Sequence, residues 1–424
     1  MFRVGIARVA PARRKLAFAV AIAAALAASG VAAFAAAPPK TVLNYSAYVG
    51  GKGKANPKLS PIVLGFINGQ GGPPNFNFPQ ATHVIEAGVK MVNAELGGIH
   101  GHPIKLNECF IAQAEEEGVR CGQQMANSKA TKAVLYGAVV VGNQSIYATL
   151  KGAKPIIGGV TANPVDPTAK NTYFLNGSQT SVLGPFATYT KKAFPKVKTV
   201  TIVYPNQPGA DSAAFALRDG MKKVGLKVSL IATPQNATDL LGPATQASSA
   251  DMIVPALGFT DCVPFARALD QIHYSKPVLS TPLCTFIPPQ AYANGDLPKW
   301  IYGIAQTNVH YGPDKQAKLF LKKGVQYGAK AQDMTNVFAE IAWEELLVAV
   351  KVMNTIPLNK LTPATIGAAI KKFPGPVPLA APDIACGKVS KGEPAACGNE
   401  TQFYSYRGKG VWKPASGWLR PPKG

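Results

Sequence analysis

Ile62-Val63-Leu64-Gly65-Phe66-Ile67 is a short apolar run that reads as a strand. The stretch Phe78 to Leu96 follows it, with Ala81, Val84, Ile85, Gly88, Val89 and Val92 recurring at helical spacing. Gly97-Gly98 stops that helix, and Ile104 to Cys109 is the next strand. The alternation continues. A helix over Glu115 to Ser128 opens with Glu115, Glu116 and Glu117, which suit its positive N-terminal end. Ala133 to Tyr136 and Ile156-Ile157 read as further buried strands. Strands separated by helices of this length predict a parallel sheet with right-handed crossovers.

A polar break at Asn176 to Ser181 precedes a second series. Val200 to Tyr204, Val228 to Ile231, Met252 to Ala256 and Val278-Leu279 read as strands, and Ala213 to Val224 and Val263 to His273 as helices. Two such series predict an α/β fold of two Rossmann-like lobes, each a parallel sheet flanked by helices. A third region returns to helices over Gln316 to Val325, Asn336 to Met353 and Leu361 to Lys372. The second of these reads as amphipathic, with Val337, Phe338, Ile341, Ala342, Val348, Ala349 and Val352 on one face. An aromatic alternation, Phe403 to Tyr406, lies near the end of the chain, before Trp412.

The chain has 424 residues, enough for two domains with ample cores. With 47% apolar residues a disordered protein is excluded. Only the N-terminus carries an apolar stretch long enough to meet a bilayer. There Arg3, Arg8, Arg13, Arg14 and Lys15 precede an alanine-rich run, and Ala33-Phe34-Ala35 offers a small-x-small cleavage pattern. Residues 1–35 therefore read as an export signal, with an uncleaved anchor over Leu16 to Ala37 as the alternative. No cysteine follows the run, which argues against a lipid anchor. The expected location is periplasmic or secreted. Removing the five leader cations from the net +22 leaves +17, spread as isolated pairs such as Lys191-Lys192 and Lys322-Lys323. Aromatic residues are not interleaved with these pairs, so solvated helix faces are expected rather than a nucleic-acid surface.

Export puts the six cysteines where disulfides persist. Sequence proximity favours Cys109 with Cys121, Cys262 with Cys284 and Cys386 with Cys397. A metal site finds no Cys-x-x-Cys pair to support it. The chain carries no Gly-x-Ser-x-Gly elbow, no phosphate loop and no His-Glu-x-x-His. Neither an enzyme nor a cofactor is expected. What stands out is a set of small or polar loops where strands end: Asn68 to Gly72, Val139 to Gln144, Gly158 to Thr161, Pro205 to Gln207 and Gly258 to Asp261. In open parallel sheets, ligands bind outside the carboxyl ends of the strands. Tight turns explain any one of these glycines. Several loops sharing the same end of two sheets point to a binding cleft.

The exported leader, the strand Ile62 to Ile67 and the run Val92-Asn93-Ala94-Glu95-Leu96-Gly97-Gly98-Ile99-His100-Gly101-His102-Pro103-Ile104 resemble the branched-chain amino-acid-type solute-binding proteins of ABC importers. One extra residue separates Asn93 from Gly97 relative to that family's pattern. Gly137 to Asn143, Pro155-Ile156-Ile157 and Thr199 to Tyr204 match in order, so the resemblance spans most of residues 60–350. It implies a periplasmic-binding-protein type I fold with three hinge crossings, and closure of a monomer on a small solute that is handed to a membrane permease. A sensor of the same fold, or a basic protein binding anionic envelope polymers, is the alternative.

In these terms residues 36–60 are an extended lead-in. Residues 61–175 with 305–373 form the first lobe, 176–304 with 374–412 the second, and 413–424 a tail. The resemblance implies a ligand set of Gln70, Phe78, Val141, Gly142, Asn143, Gly159 and Thr161 from the first lobe, and Asn206, Phe259, Thr260 and Asp261 from the second. In the family, a hydroxyl and backbone amides of the first lobe hold a ligand carboxylate, and a tyrosine with an acidic residue holds the ammonium group. Here the loop serine position is Val141 or Gly142, the tyrosine position is Phe259, and the acidic position is Leu283 or Cys284. An ammonium would lack its partner unless Asp261 turned inward, so an aromatic or less charged organic solute, an organic acid included, is expected at least as much as an amino acid. The alignment also places Cys109–Cys121 and Cys262–Cys284 at loop-to-helix junctions, as braces for the cleft loops of the two lobes.

Overall fold

A computed structural model describes residues 41–285, 292–307 and 314–423. The expected leader lies outside the described residues. The first sheet is built from β1 (Ile62–Gly69), β2 (Ile104–Ile111), β3 (Thr131–Tyr136), β4 (Ile156–Val160) and β5 (Thr172–Gly177), in the order β2-β1-β3-β4-β5. Every pair is parallel, with Ile62 opposite Ile104 and Gly69 opposite Ile111. The apolar run at the start of the sequence thus becomes β1, at the centre of the sheet, with Leu64, Phe66 and Ile67 fully buried. The chain reverses direction across the sheet between β1 and β3, which opens a crevice at their carboxyl ends.

The second sheet begins with β6 (Thr199–Pro205), β7 (Lys227–Thr233) and β8 (Met252–Pro255), ordered β7-β6-β8 and parallel. A bridge from Ile253 to Val278 carries it on to β9 (Leu279–Ser280), β10 (Ile301–Ile304), β11 (Gln402–Tyr406) and β12 (Trp412–Pro414). β9 and β10 are parallel, and the last two strands run antiparallel. The aromatic alternation of residues 403–406 is the inner strand of this edge. Phe403 stacks on Tyr189 with ring centroids 4.2 Å apart.

Several elements depart from the reading above. Residues 41–60 are not an extended lead-in. Asn44 caps a helix Tyr45–Val49 by accepting the N–H of Ala47, and Tyr45 packs 5.9 Å from Trp343. That cover explains a second difference. The helix Val337–Asn354 is buried nearly all round, not on one face. It lies against the helix Pro79–Glu95, the first sheet and the N-terminal segment. Residues 374–397 also differ from their expected place in the second lobe. Val377, Leu379, Ile384, Cys386 and Cys397 join the first lobe's core, and Phe174 on β5 exchanges hydrogen bonds with Ala395 and Cys397. This segment is rich in Pro and Gly and has no period to read, so only its pairing with β5 gives it a place. The last residues are not a free tail. Thr401 and Leu419 exchange hydrogen bonds, and Arg420 pairs with Glu400 at 2.7 Å.

All six cysteines pair as proximity favoured. Each bridge closes a short loop and contributes about 2–4 kcal/mol. Cys262–Cys284 ties the first turn of the helix Phe259–Gln271 to the turn Pro282–Thr285 at the cleft. Cys109–Cys121 does not reach a cleft loop. It joins β2 to the middle of the helix Glu115–Asn127, in the core on the outer face of the first sheet.

Candidate functional site

A cavity of about 250 Å³ lies where the carboxyl ends of the two sheets face each other. The first lobe lines it with residues that follow β1, β3 and β4, among them Phe78, Val139 and Thr161. The second lines it with residues that follow β6, β8, β9 and β10, among them Gln207, Phe259, Leu283 and Gln306. The first turns of the helix Val337–Asn354 close one side with Phe338 and Ile341. Among the described residues, the segments around Gln179, Gln306 and Thr401 that join the lobes lie next to it. They are held together by Ser181 Oγ donating to the Gly398 carbonyl and by Gln402 Nε2 donating to the Gln306 carbonyl. Asn176, at the first crossing, donates to the buried Glu344 at 2.8 Å.

The rims of the lobes touch. Phe78 meets Phe259 edge to face at 6.4 Å and Phe338 at 4.5 Å. Asn75, after β1, donates to Asn236 at 2.8 Å and accepts from the Thr260 hydroxyl at 3.1 Å. Gly209 is required at its position, because a Cβ there would stand 2.7 Å from the carbonyl oxygen of Ala162 across the cleft.

The lining is apolar and aromatic. Phe76, Phe78, Phe186, Phe259 and Phe338 all contribute, and no charged side chain occurs among the described lining residues. Two lining amides carry buried polar atoms without a partner: Gln306 Nε2 and Gln207 Oε1. Thr161 accepts the N–H of Gln179 at 2.9 Å, which leaves its hydroxyl proton to offer.

Of the eleven residues expected to bind ligand, Phe78, Thr161 and Phe259 line the cavity and the other eight do not. Gln70 is drawn away by Thr82, whose hydroxyl donates to its Oε1 at 2.6 Å. Val141 packs into the core behind β3. The Gly142 N–H donates to Glu115 at 2.8 Å, and buried Asn143 donates to Asp166 and to the Val139 carbonyl. Gly159 lies beneath Ile341, where a Cβ would come within 2.5 Å. Asn206 turns its backbone to β7 and its carbonyl to Gln235, and its neighbour Gln207 faces the cavity instead. Thr260 sits on the rim, in the contact with Asn75. Asp261 is buried beside Gly258, not turned into the cleft. Burial pushes its carboxyl up to about 6 and outweighs the nearby N–H groups of Ala237 and Asn236.

The strand-end loops of the first lobe share a further feature. Carboxylates of the same chain occupy their N–H groups. Glu117 accepts from Ala112, Gln113 and Ala114 after β2, each at 2.9 Å. Glu115 accepts from Gly142 and Ser145 after β3, each at 2.8 Å. Asp166 accepts from Ala162 and Asn163 after β4, each at 2.8 Å, and also from Asn143 and Tyr147. Burial pushes Asp166 up to about 6 despite those four donors.

A family model described as periplasmic binding protein matches residues 61–396. The chain belongs to the periplasmic binding protein family. This is a family of binding proteins, in keeping with a cleft rather than a catalytic constellation. No curated protein sequence matches the chain significantly. Solved structures share its fold at low identity. A solute-binding protein of an ABC transporter from R. palustris, in complex with 4-hydroxybenzoate, is 17% identical with a TM-score of 0.65, over 86% of this chain and 98% of that one. The branched-chain amino acid binding protein LivJ from Streptococcus pneumoniae, in complex with isoleucine, is 15% identical with a TM-score of 0.64, over 85% and 100%. The leucine-binding protein LivK from Thermotoga maritima is 12% identical with a TM-score of 0.63, over 85% and 99%. These likenesses establish the type I fold expected from residues 60–350.

Proposed function

We propose that this periplasmic binding protein is exported, captures a small organic solute between its two lobes, and presents the closed form to an ABC permease. The cavity carries this reading. It is enclosed by the strand ends of both sheets, so a solute inside would touch both lobes and favour their closure. The type I relatives in complex with isoleucine and 4-hydroxybenzoate support the solute's size class. The three disulfides and the leader pattern support export. Phe78 and Thr161 would meet the solute from the first lobe, and Phe259 would close on it from the second.

A thermal-shift screen over amino acids, aromatic compounds and short organic acids tests the capture step. A ligand at a hundred times its Kd should stabilise the folded protein by about 2.7 kcal/mol. No shift with any small solute would remove the reading.

A further inference from the structure

We infer that the cavity is built for an uncharged solute: an aromatic or branched apolar body carrying one hydrogen-bond acceptor and one donor. The inference rests on the capture reading above and specifies its substrate class. Three observations carry it.

First, carboxylates of the chain itself already occupy first-lobe amides beside the cavity. On the wall, Ala162 gives its N–H to Asp166, and behind it Asn163 does the same while Gly142 and Ser145 give theirs to Glu115. An entering carboxylate would have to displace an internal carboxylate or lie beside it unpaired. Second, the anchorage for an ammonium is missing. No lining residue among those described carries a negative charge, and Asp261 is buried toward Gly258 and the 236–237 backbone. Among the described residues the aromatic rings on the wall are phenylalanines and Tyr136, and phenylalanine faces compensate weakly for a desolvated cation. Third, two glutamines of the wall, Gln207 and Gln306, hold unmet neutral polar groups just behind the cavity surface. Gln306 Nε2 is a buried donor without an acceptor, and Gln207 Oε1 is a buried acceptor without a donor. Each costs free energy until a partner arrives. Turned toward the cavity, Gln306 would donate to a solute's carbonyl or ether oxygen and Gln207 would accept from its O–H or N–H, and both would be satisfied. The space suits such a body, since an apolar cavity of about 150 Å³ already holds benzene, and this one is about 250 Å³.

The test is calorimetry and thermal shift on the full mature protein at neutral pH with two matched series. One is 4-hydroxybenzamide, 4-hydroxybenzoate and 4-hydroxybenzylamine. The other is isovaleramide, isovalerate and isoamylamine, with L-leucine and L-tyrosine as zwitterions. The neutral amide should bind tightest in its series, by about tenfold or more over each charged member, as expected when a buried charge lacks its partner. Gln306→Leu should weaken 4-hydroxybenzamide about tenfold and, in the same preparation, leave the unliganded protein at least as stable, because it removes an unpartnered buried donor. Gln207→Leu should do the same from the other side. If a carboxylate, an amine or a zwitterion binds tightest, the inference fails while the capture reading stands. Silence across the whole panel, with no bound solute seen by native mass spectrometry, removes the capture reading and this inference with it.

Discussion

The two rims of the cleft are held in place by different chemistry. In the first lobe, carboxylates do the work. Glu117, Glu115 and Asp166 gather the N–H groups at the ends of β2, β3 and β4. In the second lobe, a disulfide and neutral amides do it. Cys262–Cys284 fastens the segment that ends with Leu283, and Gln235 holds the carbonyl of Asn206. The first rim is thus prebuilt, with these strand-end donors satisfied internally. The second presents phenylalanine and glutamine across from it. Donors at strand ends do not make an anion site when the chain supplies the anion.

Breaking the first rim should have the largest effect. Asp166→Ala removes an acceptor that serves four donors in the core. Denaturant unfolding should show a loss of about 3–5 kcal/mol, as for other buried polar groups stripped of a partner. A loss below about 1 kcal/mol would mean that the loop after β4 is held by packing instead. The second rim gives the next effect. The double variant Cys262→Ser, Cys284→Ser should lose about 2–4 kcal/mol of stability, and ligand affinity should fall with it because Phe259 and Leu283 flank the bridge. Unchanged affinity would uncouple that disulfide from the cleft.

The third prediction concerns the hinge beneath both rims. Glu340, Glu344 and Glu345 are fully buried on the helix Val337–Asn354, and burial pushes each well above the ordinary carboxylate range. Their folded forms hold protons that the unfolded chain releases above pH 4.5. Stability should therefore fall as pH rises through and beyond that value, by up to about 1.4 kcal/mol per pH unit for each such carboxyl. Asp166 and Asp261, raised to about 6, act in the same direction up to that pH. Glu95 and Glu117 are held low by hydrogen bonds, Glu95 chiefly by Lys323, and they act oppositely only below 4.5. Glu340→Gln removes a carboxyl with no hydrogen-bond partner on either oxygen. It should flatten the decline in Tm between about pH 5 and pH 8, and an unaltered slope would place the titration elsewhere. The smallest effect is at the contact between rims. Thr260→Val removes a hydroxyl that reaches Asn75 and Asn236 near solvent and should change unliganded stability by less than about 1 kcal/mol.

Much of the fold was legible because its signals are local. The run Ile62 to Ile67, the helical spacing after Phe78 and the stop at Gly97-Gly98 define a strand–helix–strand unit without any tertiary information. Elements whose reasons are non-local were lost. The helix Gln179–Ala193 contains Pro185 and begins inside the polar stretch that reads as a break. The helix Asn143–Leu150 begins in a loop that reads as cleft wall. The site was legible as a place more than as a set of residues. Loop composition located the strand ends, but Asn206 and Gln207 are adjacent in one loop, and only the start of the helix Pro208–Lys223 decides that Gln207 faces inward. Gln306, Phe186 and Phe338 come from a hinge and two helices, where no loop pattern marks them. Gly142 and Asn143 looked available because their partners, Glu115 and Asp166, lie more than twenty residues away.

The central claim is that a solute is held between the lobes. A crystal structure of the protein with the tightest-binding member of the matched panel tests it most directly. The account predicts that solute inside the 250 Å³ cavity, in contact with Phe78 on one side and Phe259 on the other. A solute bound on the surface of a single lobe, with the cavity empty, would contradict it.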